Sequence, residues 1–278
     1  MIVTMHSLAT MHSNVVTEIR LAHETGYDGI EFFLPKLERY FGLGYTAVEL
    51  ASHLQKYKLQ PTCINALLSI ERQGEDRKQL LKEAERLCTI AANLGCPILQ
   101  IVPFNGLSHL PYDESFDRII ENVRALADIG SQHNIRLQLE VIAWTPIRTL
   151  KQGLEIIDRF GGENVGLVVD FWHLWAGEGT RPEEVANLDK NLITGIHFCD
   201  GKKIPKDRKW EESELRGFLA GEGDIPLQEW CDAANATGFD GPWSCELTSP
   251  KHWEWDTVAL MRELRRLMLE YSGNGNND

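Results

Sequence analysis

The chain has 278 residues, 43% hydrophobic and 25% charged, the balance of a soluble globular protein; its length suits two small domains or one large α/β barrel. Its 28 Lys and Arg stand against 41 Asp and Glu, a formal charge of −13. That balance opposes a nucleic-acid surface, because phosphate binding needs clustered cations. No stretch approaches roughly 18 unbroken apolar residues, and "MIVTMHSLATMHS" lacks the charged-then-apolar layout of a signal peptide. No membrane span and a cytoplasmic location are therefore expected. Six cysteines without a C-x-x-C pair read as reduced, mostly buried thiols.

In chain order, short apolar runs alternate with longer helix-patterned segments. The runs are "IVTMHSL" (2–8), "GIEFF" (29–33), "LQPTCINAL" (59–67), "ILQIVP" (98–103), "RLQLEVI" (136–142), "VGLVVDF" (165–171), "ITGIHFCD" (193–200) and "PWSCEL" (242–247). Between them, segments such as "EDRKQLLKEAERLCTIAANLG" place apolar residues at helical spacing and end in Gly or Asn. Eight strands alternating with helices predict parallel pairing, and that count closes a single (β/α)8 TIM barrel over residues 1–271. The tail "SGNGNND" (272–278) is expected to be disordered. A faint repeat agrees: "TGYDG" (25–29) and "TGFDG" (237–241) each lead into a strand that contains a glutamate.

In such barrels the C-terminal strand ends carry the chemistry. The last third of each later strand holds Glu140, Asp170, His197 and Glu246, each after a run of Leu, Val or Ile and each expected to point into the barrel mouth. Three carboxylates converging alone would repel and raise one another's pKa values. A divalent cation resolves that conflict. Hard oxygen donors with one nitrogen favour Mn²⁺, with Mg²⁺, Co²⁺ or Zn²⁺ as alternatives. Such an ion, holding a ketone oxygen and its neighbouring hydroxyl, acidifies the α C–H by stabilising an enediolate. Two carboxylates on opposite faces of that carbon, Glu140 and Glu246, could then remove and return a proton.

The ordered set "LQLEVIAW", "VVDFWHLW", "GIHFCDG", "AGEGDIPLQEW" and "GFDGPWSCEL" resembles the xylose isomerase-like TIM-barrel superfamily. The nearest branch is that of the sugar phosphate isomerases and epimerases, with ketose 3-epimerases, inosose isomerases and dehydratases and 3-dehydroshikimate dehydratase as relatives. The resemblance implies that Glu140, Asp170, His197 and Glu246 are metal ligands, that His173 contacts substrate and that the two glutamates transfer protons. It also implies a homo-oligomer, dimer or tetramer. The small-molecule substrate would be a sugar, sugar phosphate or cyclitol, isomerised or epimerised; dehydration of an inosose or 3-dehydroshikimate-like substrate is the alternative. An endonuclease IV-like phosphodiesterase is a remote third, opposed by the net charge.

Other residues carry two readings each. Glu31 could reach a substrate hydroxyl or bond a neighbouring strand, and His6, at the end of the first strand, could bind substrate or merely line the mouth. Arg208 lies in "DGKKIPKDRKW" (200–210) among four lysines, which suits a substrate anion or a solvated lid. Trp144, with Trp172, Trp175, Trp253 and Trp255, could form an aromatic wall for a sugar ring, or simply belong to the core. "SPKHWEWD" (249–256) suits substrate or dimer contact, and "GEG" (221–223) gives a turn near the site.

Overall fold

The structure is a computed structural model and describes residues 1–274. Eight strands form one closed barrel in sequence order: β1 (Ile2–His6), β2 (Gly29–Phe33), β3 (Gln60–Leu68), β4 (Ile98–Val102), β5 (Arg136–Leu139), β6 (Val165–Asp170), β7 (Ile193–Phe198) and β8 (Pro242–Cys245). Every neighbouring pair is parallel, and β8 closes on β1 through Val3 opposite Trp243. The expected (β/α)8 TIM barrel is the observed fold.

The outer layer comprises α1 (Val15–Glu24), α2 (Leu34–Gly42), α3 (Ala47–Tyr57), α4 (Gly74–Leu94), α5 (Tyr112–Gln132), α6 (Leu150–Phe160), α7 (Phe171–Ala176), α8 (Pro182–Ala186), α9 (Glu212–Arg216), α10 (Leu227–Ala236), α11 (Pro250–Trp253) and α12 (Thr257–Tyr271). Their apolar stripes pack on the strands' outward side chains, so the main core lies between barrel and helices. In both T-G-x-D-G segments the glycine ends the preceding helix, Gly26 and Gly238 taking φ of 83° and 73°, but only β2 contains its glutamate. Six free cysteines are all buried.

Strand ends fall earlier than the apolar runs suggested. β5 stops at Leu139 and β8 at Cys245, so Glu140 and Glu246 are the first residues past their strands. The β7 run also ends sooner, at Phe198, and leaves Asp200 in the following loop. Inside the barrel a polar layer lies below the mouth: Gln138 Nε2 donates to Gln100 Oε1, and Gln100 Nε2 donates to Glu140 Oε2 at 3.0 Å. Gly195 leaves room for this stack, since a Cβ there would come within 2.9 Å of Gln138 Oε1.

After α12, Ser272 is buried and its amide donates to Met268, while the Asn274 amide donates to Leu269. The rest of the expected tail, 275–278, lies outside the described residues. Among the described residues no helix is long and apolar enough to cross a membrane.

Candidate active site and metal centre

The register sets the site. Asp170 of β6 pairs with His197 of β7, His197 pairs with Ser244 of β8, and His6 of β1 pairs with Glu31 of β2. Adjacent strand ends therefore aim carboxylates and imidazoles at one axis. One ligand atom from each of Glu140, Asp170, His197 and Glu246 lies within 4.8 Å of all the others, and all four residues are buried. His197 Nδ1 is the centre of the group: Glu246 Oε2 is 3.2 Å away, Glu140 Oε1 3.4 Å and Asp170 Oδ2 3.5 Å.

Two atoms test whether an ion fits. Glu140 Oε1 and His197 Nδ1 are buried without a hydrogen-bond partner among the described residues. Buried polar atoms left in that state are costly and rare. Both face the same point, and a cation there would satisfy both with the oxygen and nitrogen donors that hard and borderline divalent ions take. The donor set suits a divalent cation.

Without the ion, charge balance comes from Arg216 and His197. Arg216 Nη2 donates to Asp170 Oδ2 at 2.8 Å and to Glu246 Oε2 at 2.7 Å. Its Nη1 donates to Glu212 at 2.9 Å. Burial is the largest single influence and raises the Asp170 carboxyl, but Arg216, His173 and the hydrogen bond with His197 together hold it down at about 2. Glu246 is likewise held well below the usual carboxylate range by Arg216 and His197, against burial. Glu140 is pushed up to about 8 by burial and by the charge of Glu246, so it carries a proton at neutral pH. Burial disfavours the His197 imidazolium, but Glu31 and Glu246 outweigh it and keep the ring protonated well above its ordinary value.

The spacing of Asp170 and His173 has a local cause. β6 ends at Asp170 and α7 begins at the next residue, so Asp170 is a helix N-cap: its Oδ1 accepts from the His173 amide at 2.7 Å. The other oxygen, Oδ2, remains for the cluster. The turn swings His173 toward Arg216, whose Nη1 lies 2.9 Å from His173 Nε2. A guanidinium only donates, so Nε2 accepts; burial first, with Arg216 adding, pulls the imidazole down to about 3 and keeps it neutral.

The other expected residues distribute as follows. Glu31 is buried and fully engaged: Oε1 accepts from His197 Nε2 at 3.0 Å and Oε2 from Ser244 Oγ at 2.8 Å, so it orients the His197 ring rather than facing solvent. His6 is buried at the mouth, its Nε2 3.5 Å from Glu246 Oε1, and it joins His197 and Glu246 in a second potential three-donor group. Trp144 is half-buried against His173, Trp172 and Trp210 and packs on a separate apolar cluster of Ala66, Val102 and Ile142 at the ends of β3 to β5. Arg208 is exposed and paired with Glu214 at 2.9 Å. Lys203 lies over the Trp175 ring and Lys206 pairs with Glu178, so much of that basic segment is committed to surface contacts. In "SPKHWEWD", Ser249 Oγ donates to the Gly217 carbonyl and Trp255 stays exposed beside His252.

Arg216 is the residue that sequence reasoning missed. It sits in "EESELRGF", where Glu212 and Arg216 stand at i, i+4, the spacing of many solvated helix pairs. Its one distinguishing signal is position, in the loop between the strands that carry His197 and Glu246.

A single parallel barrel with carboxylates and an imidazole gathered at the strand ends defines the TIM-barrel enzyme arrangement. The chain belongs to the xylose isomerase-like TIM barrel family, which matches residues 19–270. It is 26% identical over 270 residues to an inosose isomerase of Halalkalibacterium halodurans, covering 93% of this chain and 92% of that protein. It is 25% identical over 227 residues to a 3-dehydroshikimate dehydratase of Pseudomonas aeruginosa, covering 80% of this chain and 34% of that longer protein. A crystal structure of the IolI protein with a zinc atom superposes with a TM-score of 0.91 at 22% identity, over the full length of both chains.

Proposed function

We propose that this protein is a divalent-metal-dependent isomerase or epimerase of a keto-sugar or cyclitol. The observation that carries the reading is the convergence of Glu140, Asp170, His197 and Glu246 on one point, with two of their buried donor atoms left without partners. These four residues would hold the ion. Bound there, a divalent cation such as Mn²⁺ or Zn²⁺ supplies Lewis acidity to a ketone and its neighbouring hydroxyl.

The chain's own residues do the rest. Glu140 and Glu246 reach the cluster from strands on different sides of His197, so a carbon between them meets a carboxyl from each direction. One takes the α-proton as the other returns one. Arg216 and neutral His173 offer polar contacts to substrate hydroxyls, and the Trp144 wall offers an apolar face to the ring. The likeness to inosose isomerase favours a cyclitol ketone.

The dehydratase reading has one observation of its own. Glu212, partly exposed and bonded to Arg216 beside the site, is raised by burial, the direction that suits a proton donor for loss of a β-hydroxyl.

The test is proton NMR in D₂O with Mn²⁺-loaded protein and a panel of inososes, ketoses and 3-dehydroshikimate. Deuterium at the α-carbon with a new isomer and no lost hydroxyl supports the proposal. Glu140→Gln and Glu246→Gln should each slow exchange about 10²- to 10⁴-fold. Release of water with an alkene or aromatic signal assigns the dehydratase instead, and no exchange with any substrate removes both.

A further inference from the structure

Two residues past the end of β7, Asp200 is buried and touches none of the metal-site side chains directly. Its carboxylate instead collects four backbone amides. Oδ1 accepts from Gly201 at 2.7 Å and Ile225 at 3.3 Å, and Oδ2 accepts from Gly221 at 2.8 Å and Gly223 at 2.9 Å. A carboxylate in a nest of amides makes short, charge-assisted bonds that a neutral group would not match. The approach demands glycine, since a Cβ at Gly223 would run into the carboxylate.

The backbone around Asp200 makes further ties to the same loop. Asp200 bridges Phe218, the Lys202 amide donates to Leu215 at 2.8 Å, and the Asp224 amide donates to Gly201 at 2.8 Å. The tied residues Leu215 and Phe218 flank Arg216. α9 is five residues long, too short to hold its own geometry, so its last residue needs external anchors. Ser249 adds one more from β8's side, through the Gly217 carbonyl.

Resting on the proposed role of Arg216 at the substrate, we infer that Asp200 is a positioning residue: it locks the 217–225 loop to the end of β7 and thereby sets the Arg216 guanidinium against Asp170, Glu246 and His173. The strand that delivers His197 thus also delivers the anchor for Arg216, and the two groups keep a fixed relation.

The experiment uses the full chain and Asp200→Asn, with Gly223→Ala disturbing the same contact from the other side should the first variant not fold. Hydrogen exchange is expected to show lost protection at amides 219–225 with the barrel strands unchanged. Mn²⁺ affinity should not fall, while kcat/KM falls about 10- to 100-fold, the cost of a displaced contact. In an Arg216→Lys background the same change should cost less than about twofold, because both act through one group. The near-ultraviolet circular dichroism of Trp172, whose ring lies 5.3 Å from the Arg216 guanidinium, should change alike in Asp200→Asn and Arg216→Lys. A loop that stays protected, losses that multiply in the double variant, or Mn²⁺ affinity falling in step with turnover would each overturn the inference. If the wild-type protein exchanges no α-proton, the functional reading fails, and the exchange and dichroism measurements still decide whether Asp200 sets Arg216.

Discussion

Glu31 accepts a hydrogen bond from His197 Nε2 at 3.0 Å, which turns Nδ1 of the same ring toward Glu140, Asp170 and Glu246. A carboxylate that fixes the far nitrogen of a histidine sets its tautomer and raises its basicity as a ligand. Glu31→Gln should therefore weaken Mn²⁺ binding about 10- to 100-fold while leaving the barrel folded. Isothermal titration beside far-ultraviolet circular dichroism checks it, and unchanged affinity would remove Glu31 from this role.

Metal uptake should release protons. Glu140 holds its proton below about 8 in the metal-free protein, and His197 keeps its own well above the ordinary imidazole range. Both must leave for these atoms to act as ligands, so affinity should rise with pH through the neutral range and keep rising less steeply above about 8, where His197 alone still has a proton to lose. Titrating Mn²⁺ at pH 7 in two buffers of different ionisation enthalpy reads the proton count. Equal heats in both would show that neither group carries a proton that binding displaces.

Arg216 is buried between Asp170 and Glu246. Arg216→Ala should destabilise the metal-free protein by about 3–5 kcal/mol, the cost of leaving buried carboxylates uncompensated. Saturating Mn²⁺ should recover more thermal stability in this variant than in the wild type, since the ion supplies the missing charge. Thermal melts with and without metal decide this, and a variant that melts with the wild type when metal-free would contradict the charge balance.

Arg208 is half exposed and satisfied by Glu214. Exposed pairs of this kind contribute about 0–1 kcal/mol. Arg208→Ala should leave kcat/KM within about twofold on non-phosphorylated ketoses. A selective loss on a phosphorylated ketose alone would return this arginine to the substrate-anion role that its sequence context suggested.

Much of the site was legible because strand periodicity and chemistry coincide. Asp170 and His197 each end an apolar run, and both lie at the closed barrel's mouth in matching register. Glu140 and Glu246 were legible for the same reason, although each lies one residue beyond its strand. Glu31 was legible as a site residue but not in its role, because only the register of β1, β2, β7 and β8 around the closed barrel brings it to His197 and Ser244. Arg216 and Asp200 were not legible as partners. Their relation depends on a polar loop folding back on the end of β7, and no periodicity encodes such a return. The two helices between β2 and β3 were equally silent in the apolar pattern, since α3 opens on a capping box from Thr46 to Glu49 at a largely exposed turn.

Asp170 divides its carboxylate between two tasks, with Oδ1 on the first turn of α7 and Oδ2 toward the cluster. The arrangement depends on a short side chain, because one further methylene would carry both oxygens past the His173 amide. For redesign of the proposed metal site, this makes the four residues unequal. Glu140 and Glu246 stand on loop backbone beyond their strands, where reach can be adjusted to suit a larger or smaller ion. Asp170 is a joint between sheet and helix, and exchanging it would alter the scaffold before it altered the choice of metal.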